Sequence, residues 1–201
     1  MSDHDVAARL ATAAGELLLG VRAELEDATA AERVWIVDPL DGTREFSELG
    51  RDDWAVHVAL WQSGELVAGA VALPAQGITL ATPTVTPPPA TVDKPRIVVS
   101  RTRPPAIALA VRDALDGVLV EMGSAGAKVA SVIQGLSDIY VHAGGQYEWD
   151  SAAPVAVARA AGLHTSRIDG SPLVYNRRDP LLPDLVVCRP EFADAVLAVT
   201  A

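Results

Sequence analysis

Cysteine is nearly absent from this sequence, which excludes a fold held together by disulfides. Cys188 is the single cysteine among 201 residues, so no internal disulfide can form. Its position in the apolar stretch DLVVC predicts a buried strand residue. The four histidines are scattered and show no zinc-binding spacing. These features fit a reducing compartment, and we expect a cytoplasmic protein.

Long apolar runs and an excess of positive charge are also missing. We expect no membrane span, because no apolar run is long enough to cross a bilayer. We also expect no signal peptide, because the N-terminus lacks the basic, apolar and cleavage-site pattern of one. The formal net charge of −10 argues against a nucleic-acid partner, since such proteins present basic surfaces. It leaves room for a small phosphorylated substrate, because divalent cations can lie between acidic side chains and phosphate.

The first ninety residues predict one helix followed by antiparallel strands. Alanine and leucine dominate residues 5–25, and their apolar positions share one helical face. After this helix the period changes to that of strands, and short turn sequences separate the strands into an antiparallel meander. The predicted strands are VWIV, WAVHVALW, ELVAGAVAL and ITLAT. Prolines between residues 83 and 95 predict a loop or a lobe boundary.

Residues 91–201 alternate between strand and helix patterns. The predicted strands are RIVVS, VLVEMG, SDIYVHA and DLVVC, and the predicted helices are PPAIALAVRDAL, SAGAKVASVIQGL, SAAPVAVARAA and PEFADAVLAV. We therefore predict an α+β fold with two layered lobes and a cleft between them. The N-terminal lobe, residues 1–90, would contain the first helix and the antiparallel sheet, and a mixed α/β lobe would occupy residues 91–201.

The segment WIVDPLDGTREF places two aspartates, Asp38 and Asp41, at the end of an apolar strand. Residues three apart face opposite ways on a regular strand, so we predict that Pro39 ends the strand between them. The alternative is a plain turn with two solvated carboxylates. Haloacid-dehalogenase-type phosphatases also run a strand into an aspartate pair, but their D-x-D spacing differs from the D-P-L-D spacing here.

A turn at this point would also bring ligands other than carboxylates together. The Leu40 carbonyl could point the same way as the two carboxylates and complete a hard-cation site. Gly42 and Thr43 would then offer backbone N–H groups and a hydroxyl to a phosphate bound to that cation. Downstream, Asp150 in WDSAA precedes a predicted helix and is expected to be its N-cap. A helix N-terminus also attracts anions, so the same place suits a phosphate.

DPLDGT and, about 110 residues further on, WDSAA resemble the two signatures of the inositol monophosphatase superfamily. The resemblance implies a layered α/β/α/β/α sandwich and a Mg²⁺-dependent, Li⁺-sensitive phosphatase. Within the superfamily, GSAGAK, HAGGQYEWDSAAP and GSPLVYN are most similar to the CysQ branch. That branch removes the 3′-phosphate of 3′-phosphoadenosine 5′-phosphate, a by-product of sulfate assimilation. Inositol 1-phosphate and fructose 1,6-bisphosphate remain alternative substrates, because this fold serves all three.

The resemblance also implies roles for individual residues. Two or three Mg²⁺ ions would be bound, with Asp38 bridging two of them, the Leu40 carbonyl on the first and Asp41 with Asp150 on the second. The implied catalytic residues are Asp38, Asp41, Thr43 and Asp150. The implied substrate-binding residues are Gly42 and Thr43 at the phosphate, with Ser124, Ala125 and Glu148 near the sugar. A homodimer is compatible with this family.

A bisphosphate substrate needs cations beyond the metal ions. Lys128, in the first turn of a predicted helix, is the best placed to bind a second phosphate. Arg101 and Arg103 follow the strand RIVVS, and each could instead be a solvated surface base. Tyr140 could stack on a nucleobase or simply fill the core. Arg44 could contact phosphate or form a salt bridge.

One departure from the superfamily concerns the chain between the first helix and DPLDGT. Members of the superfamily carry more residues there, including a water-activating Thr/Asp and a Glu-Glu pair that binds the first metal. Here no Glu-Glu pair is present, and Glu26 is its only remnant. We therefore predict a missing segment near residues 25–30. Either the chain as given lacks a segment of an active phosphatase, or a natural deletion has left a catalytically impaired protein that binds nucleotide or metal.

Overall fold

The computed structural model describes residues 31–89 and 94–201. The helix predicted for residues 5–25 and the segment predicted to be missing near residues 25–30 lie outside this part of the chain. Arg33–Ala201 form one compact unit. The division into lobes at residues 90 and 91 stays a prediction. No helix in the described ranges is long and apolar enough to cross a membrane.

The first sheet is a four-stranded antiparallel meander, as its alternating sequence predicts. Its strands are β1 (Arg33–Asp41), β2 (Ala55–Gln62), β3 (Glu65–Leu73) and β4 (Ile78–Ala81), in the order β1-β2-β3-β4. A short helix, α1 (Thr43–Ser47), follows β1 directly. A one-turn 3₁₀ helix, Pro74–Gln76, makes the turn from β3 to β4. Among the described residues β1 is therefore an edge strand, and it carries Asp38 to Asp41 of the DPLDGT segment.

The second sheet is mixed, with five strands in the order β6-β5-β7-β9-β8. These strands are β5 (Arg96–Ser100), β6 (Val118–Met122), β7 (Ile139–Tyr147), β8 (His164–Ser166) and β9 (Leu181–Cys188). β5 is parallel to β6 and β7, whereas β9 is antiparallel to β7 and β8. The sequence did not predict β8, because three residues are too few to show a period.

Four longer helices complete the described layers: α2 (Ala106–Ala114), α3 (Ala125–Ile133), α4 (Glu148–Ala160) and α5 (Ala193–Thr200). The main core joins the first sheet, α3 and α4 to one face of the second sheet. A second core joins α2 and α5 to the other face of that sheet. α4 approaches the first sheet closely, since a Cβ on Gly69 would lie 2.6 Å from the Cβ of Ala156. Because α3 and α4 lie between the sheets, their first turns can meet the end of β1.

Candidate metal and phosphate site

β1 does not end at Pro39, so that part of the prediction is wrong. The strand continues to Asp41, but its register against β2 shifts on the way. Asp38 lies opposite His57 and Asp41 lies opposite Ala55, so three steps along β1 match two steps along β2. This is a β-bulge, and its extra residue returns Asp38 and Asp41 to the same face of the sheet. The two carboxylates converge because of the bulge.

α4 begins at Glu148, so the prediction that Asp150 caps it from outside is wrong. Asp150 lies within the first turn, where its carboxylate accepts the N–H of Tyr147 at 2.7 Å. β7 leads directly into this turn through Gly144 and Gly145, whose φ values of 131° and 86° suit glycine. The WDSAA segment thus lies within α4, which begins directly after β7 ends at Tyr147.

Asp38, Asp41 and Asp150 meet in one cluster, as the two motifs predict. Each offers a carboxylate oxygen, and these atoms all lie within 4.8 Å of one another. Asp38 and Asp41 are each only 8% exposed. Carboxylates this close repel one another unless a cation lies between them. Oxygen ligands of this kind fit Mg²⁺, which prefers carboxylates and retains several waters.

The first turn of α3 surrounds Asp41 with hydrogen-bond donors. Asp41 Oδ2 accepts the Ser124 hydroxyl at 2.6 Å and the Gly126 N–H at 2.6 Å, while Oδ1 accepts the Ala125 N–H at 3.2 Å. Ser124 and Ala125 therefore reach the cluster through Asp41. Their contact with the sugar of a substrate stays a prediction.

The turn that follows Asp41 contains Gly42 and Thr43, whose binding of phosphate stays a prediction. Gly42 has φ 85° and ψ 44°, and a Cβ added to it would lie 3.0 Å from the Cβ of Ser124. Both its conformation and the space around it therefore require glycine. The Thr43 hydroxyl donates to the Leu40 carbonyl at 3.5 Å, so the predicted phosphate ligand and the predicted metal ligand are neighbours.

Lys128 and Arg103 line a pocket of about 480 Å³, together with Tyr140. Lys128 Nζ donates to the carbonyls of Gly123 and Ser124 at 3.0 and 2.8 Å and lies 5.5 Å from the centroid of the Tyr140 ring. Burial lowers the pKa of Lys128, and nearby carboxylates oppose that shift. Tyr140 is 2% exposed and accepts the Gln146 amide at 3.0 Å, so this phenol also belongs to the core.

Glu148 forms hydrogen bonds to the backbone of a distant segment of the chain. Its two oxygens accept the backbone N–H groups of Asn176 and Arg177 at 2.7 and 2.9 Å, and the residue is 5% exposed. It thereby fastens the GSPLVYN segment to the start of α4. Its predicted place beside the sugar stays a prediction.

Two arginines that the sequence left open form ion pairs. Arg101 contacts Glu45 at 3.1 Å and Glu48 at 2.6 Å, and Arg44 contacts Glu48 at 3.3 Å. The Arg44 pair is exposed and contributes little to stability. The contact of Arg44 favours its salt-bridge interpretation, whereas Arg101 is only partly exposed and paired, so the solvated-base alternative for Arg101 is wrong.

His57 is a site residue that the sequence analysis missed. It is fully buried, its Nδ1 donates to the Trp149 carbonyl at 3.1 Å, and its Nε2 lies 3.4 Å from Asp41 Oδ2. It therefore connects the segment of Asp41 with that of Asp150. The alternation of β2 would place His57 on the inward face, but the sequence gives no sign of its two distant partners.

The carboxylate cluster should make the stability of the metal-free protein depend on pH. Burial raises the pKa of Asp150, and Asp41 and Asp38 raise it further. Between the ordinary value of 3.8 and the raised value, the folded state holds more protons than the unfolded state, so stability falls as pH rises. Asp150→Asn removes this loss, so the gain in melting temperature over the wild type should grow as pH rises from 3.8 to the raised pKa of Asp150 and stay constant above it.

The measurement is thermal unfolding of both proteins in a chelator, at several pH values across that interval. Asp179→Asn is the matched control, because Asp179 is exposed and its Oδ1 accepts the Leu181 N–H at 3.1 Å. A difference between Asp150→Asn and the wild type that stays constant with pH would contradict the prediction.

Comparison with known proteins places this geometry in a family. Residues 15–200 match the profile of the inositol monophosphatase family. The 3′-phosphoadenosine 5′-phosphate phosphatase of Mycobacterium bovis is 56% identical over 180 residues, covering 85% of this chain and 67% of that protein. The crystal structure of CysQ from Bacteroides thetaiotaomicron is 26% identical with a TM-score of 0.67, covering 80% of this chain and 71% of that one. The predicted fold is confirmed.

A third comparison shows a difference in the length of the chain. The 3′-phosphoadenosine 5′-phosphate phosphatase of Mycobacterium leprae is 45% identical over 253 residues, covering 99% of this chain and 93% of that protein. Since the alignment covers only about 199 of the 201 residues of this chain, about 54 of its 253 positions have no counterpart here. The difference lies inside the alignment, as expected for a missing internal segment. Despite this difference in length, the match over residues 15–200 and the 56% identity to a relative show that the chain belongs to the inositol monophosphatase family.

Proposed function

We propose that this protein is a Mg²⁺-dependent phosphomonoesterase that converts 3′-phosphoadenosine 5′-phosphate and water to AMP and phosphate. The observation that carries the proposal is the convergence of Asp38, Asp41 and Asp150 within 4.8 Å beside the Gly42–Thr43 turn. The choice of substrate is supported by the Mycobacterium bovis and Mycobacterium leprae relatives, which bear the name of that activity.

The residues of the cluster and of the adjacent turn would have separate roles in hydrolysis. Asp38, Asp41, Asp150 and the Leu40 carbonyl would hold the Mg²⁺ ions. When bound, Mg²⁺ lowers the pKa of a coordinated water and stabilises charge on the phosphate. Gly42 and Thr43 orient the phosphate with N–H groups and a hydroxyl. Hydrolysis breaks the bond from phosphorus to the 3′-oxygen, and that oxygen gains a proton.

The proposal extends to the setting of the enzyme. We expect inhibition by Li⁺, a cytoplasmic location and a place in sulfate assimilation, with a homodimer as the assembly. These expectations rest on the resemblance of DPLDGT, WDSAA and GSAGAK to the CysQ branch. The alternative substrates, inositol 1-phosphate and fructose 1,6-bisphosphate, lack the nucleobase.

The pocket beside the cluster supports a substrate that carries a second phosphate. Its volume of about 480 Å³ is within the usual range for small-molecule sites. Arg103 is exposed, and its guanidinium forms no ion pair with any residue that the structure describes. Ala125 also lines this pocket and donates its N–H to Asp41, so we propose that Arg103 binds the 5′-phosphate while the 3′-phosphate lies at the aspartates. Inositol 1-phosphate has no group to place there.

Phosphate release should therefore separate the substrates, and Arg103→Ala should reduce the separation. We expect kcat/KM for the bisphosphate nucleotide to exceed that for inositol 1-phosphate and fructose 1,6-bisphosphate. Arg103→Ala should raise KM for the nucleotide by about tenfold to about a hundredfold, since a hydrogen bond to a charged group contributes about 1.5 to 3 kcal/mol. The KM for inositol 1-phosphate should stay within about twofold.

Arg112→Ala is the matched control, because Arg112 pairs only with its exposed neighbour Asp113 among the described residues. Lys128→Ala is a less selective probe, since Lys128 also binds two backbone carbonyls. Equal effects of Arg103→Ala on both substrates would place Arg103 outside the substrate site. A preference for inositol 1-phosphate would overturn the proposed substrate.

A further inference from the structure

Ser124 adopts a backbone conformation that a residue with a side chain rarely holds. Its φ is 39° and its ψ is 134°, although it is not glycine. Such conformations are strained, and they persist only where the surroundings enforce them. The strain is located one hydrogen bond from a proposed metal ligand, because the Ser124 hydroxyl donates to Asp41 Oδ2 at 2.6 Å. The same hydroxyl accepts the Ala127 N–H at 3.0 Å, so its direction is fixed from both sides.

Two buried charged side chains hold the peptide groups on either side of this strained position. Asp53 Oδ2 accepts the N–H of Gly123 at 2.5 Å, and Lys128 Nζ donates to the carbonyls of Gly123 and Ser124 at 3.0 and 2.8 Å. Asp53 is 4% exposed and Lys128 is 7% exposed. Asp53 is itself fixed by an ion pair with Arg51.

Gly123 is further confined by α1. A Cβ on Gly123 would overlap the Glu45 side chain, and Glu45 is held in place by Arg101 at 3.1 Å. The Gly123–Ser124 segment therefore packs between α1 and the first turn of α3. Lys128 and Ser124 are also predicted to contact substrate, whereas Asp53 and Glu45 have no predicted substrate contact, so Asp53 is the residue that can test positioning alone.

We propose that Asp53 is a positioning residue: with Lys128 it clamps Gly123 and Ser124 in the strained conformation, and the Ser124 hydroxyl thereby holds Asp41 in its metal-binding orientation. The inference rests on the proposed function, because it assigns Asp41 to the metal site. Ligands held in place by a surrounding shell bind metal more tightly, since less order must be imposed on binding. The effect should therefore appear first in metal affinity.

The test measures binding of Mn²⁺, a spectroscopically visible substitute for Mg²⁺, to the substrate-free protein by calorimetry and electron paramagnetic resonance. Asp53→Ala should weaken Mn²⁺ binding by about tenfold to about a hundredfold, the range for residues that orient metal ligands. The Mg²⁺ concentration for half-maximal turnover should rise equally, whereas kcat at saturating Mg²⁺ should change by less than about threefold. Asp53→Asn, which keeps an oxygen for the Gly123 N–H, should restore most of the affinity.

Asp52→Ala is the matched control, because Asp52 is exposed and its side chain makes no hydrogen bond or ion pair with the described part of the chain. A clamp that acts through the serine also predicts non-additivity: Ser124→Ala should reproduce the loss, and adding Asp53→Ala to it should cause little more. Thermal unfolding identifies any variant that fails to fold, in which case Asp53→Asn and Ser124→Ala carry the test.

Wild-type Mn²⁺ affinity in Asp53→Ala would overturn the proposal. Equal losses in Asp53→Asn and Asp53→Ala would overturn it as well, because they would assign the effect to the charge of Asp53. Fully additive losses of Mn²⁺ affinity in the double variant would show that Asp53 does not act through Ser124. Since Mn²⁺ binding needs no substrate, failure of the clamp is distinguishable from a wrong choice of substrate.

Discussion

Asp150→Asn is expected to lower kcat by at least about a thousandfold while the fold stays intact. A thousandfold loss corresponds to about 4 kcal/mol of transition-state stabilisation, the several kcal/mol that a bound metal ion supplies. Asn is isosteric and keeps an oxygen that can accept the Tyr147 N–H, so the first turn of α4 remains capped. The substitution therefore removes the charge and the anionic ligand without removing the structural contact.

The measurement is steady-state turnover of the bisphosphate nucleotide at several Mg²⁺ concentrations, together with thermal unfolding. Asp179→Asn is again the control, since it loses one carboxylate charge and keeps a comparable backbone contact. A kcat for Asp150→Asn within about tenfold of the wild type at saturating Mg²⁺ would remove Asp150 from the metal site.

Asp41→Asn would give a less direct answer than Asp150→Asn. The Asp41 carboxylate accepts donors from Ser124, Ala125 and Gly126, which together close the first turn of α3. An amide in its place must turn an NH₂ group toward at least one of these donors. Loss of turnover in that variant would combine loss of the metal ligand with disruption of α3.

The sequence predicted the strands of this fold better than it predicted the geometry of the site. The bounds of β3 and β5 match the predicted ELVAGAVAL and RIVVS segments. Alternation and turn residues are local signals, so they can be recognised without knowledge of the partner strand. The β1 bulge is different, because it is defined by the register against β2. A single strand carries no record of that register, so the sequence alone predicts that Pro39 ends the strand.

The contacts that hold the site in place span large distances along the chain. Asp53 meets Gly123 across 70 residues, and Glu148 meets Asn176 and Arg177 across 28 and 29 residues. These acidic side chains look like ordinary surface residues when only their neighbours in sequence are considered. The motifs could predict which carboxylates converge, but not which side chains orient them.

The largest remaining effect is expected from the segment that we predict to be missing near residues 25–30, because the Mycobacterium leprae relative aligns over about 54 more positions than this chain supplies. Among the described residues, three carboxylates converge. The two oxygens of the Asp41 carboxylate already accept three hydrogen bonds. Mg²⁺ requires near-octahedral oxygen coordination, so two ions need more ligands or more water than this cluster supplies. Within the described sheet, β1 pairs only with β2, which leaves its other edge available for another strand.

Inserting the relative's segment of about 54 positions near residues 25–30 should therefore raise kcat/KM for the bisphosphate nucleotide by at least about a hundredfold, since each added metal ligand stabilises the transition state. A Gly/Ser linker of equal length is the control, because it supplies length without ligands or strand pairing. Calorimetry should show more Mn²⁺ bound in the chimera than in the linker control. Turnover of the 201-residue chain equal to that of the relative would show that three carboxylates suffice. An inactive chimera that binds Mn²⁺ would favour the catalytically impaired alternative.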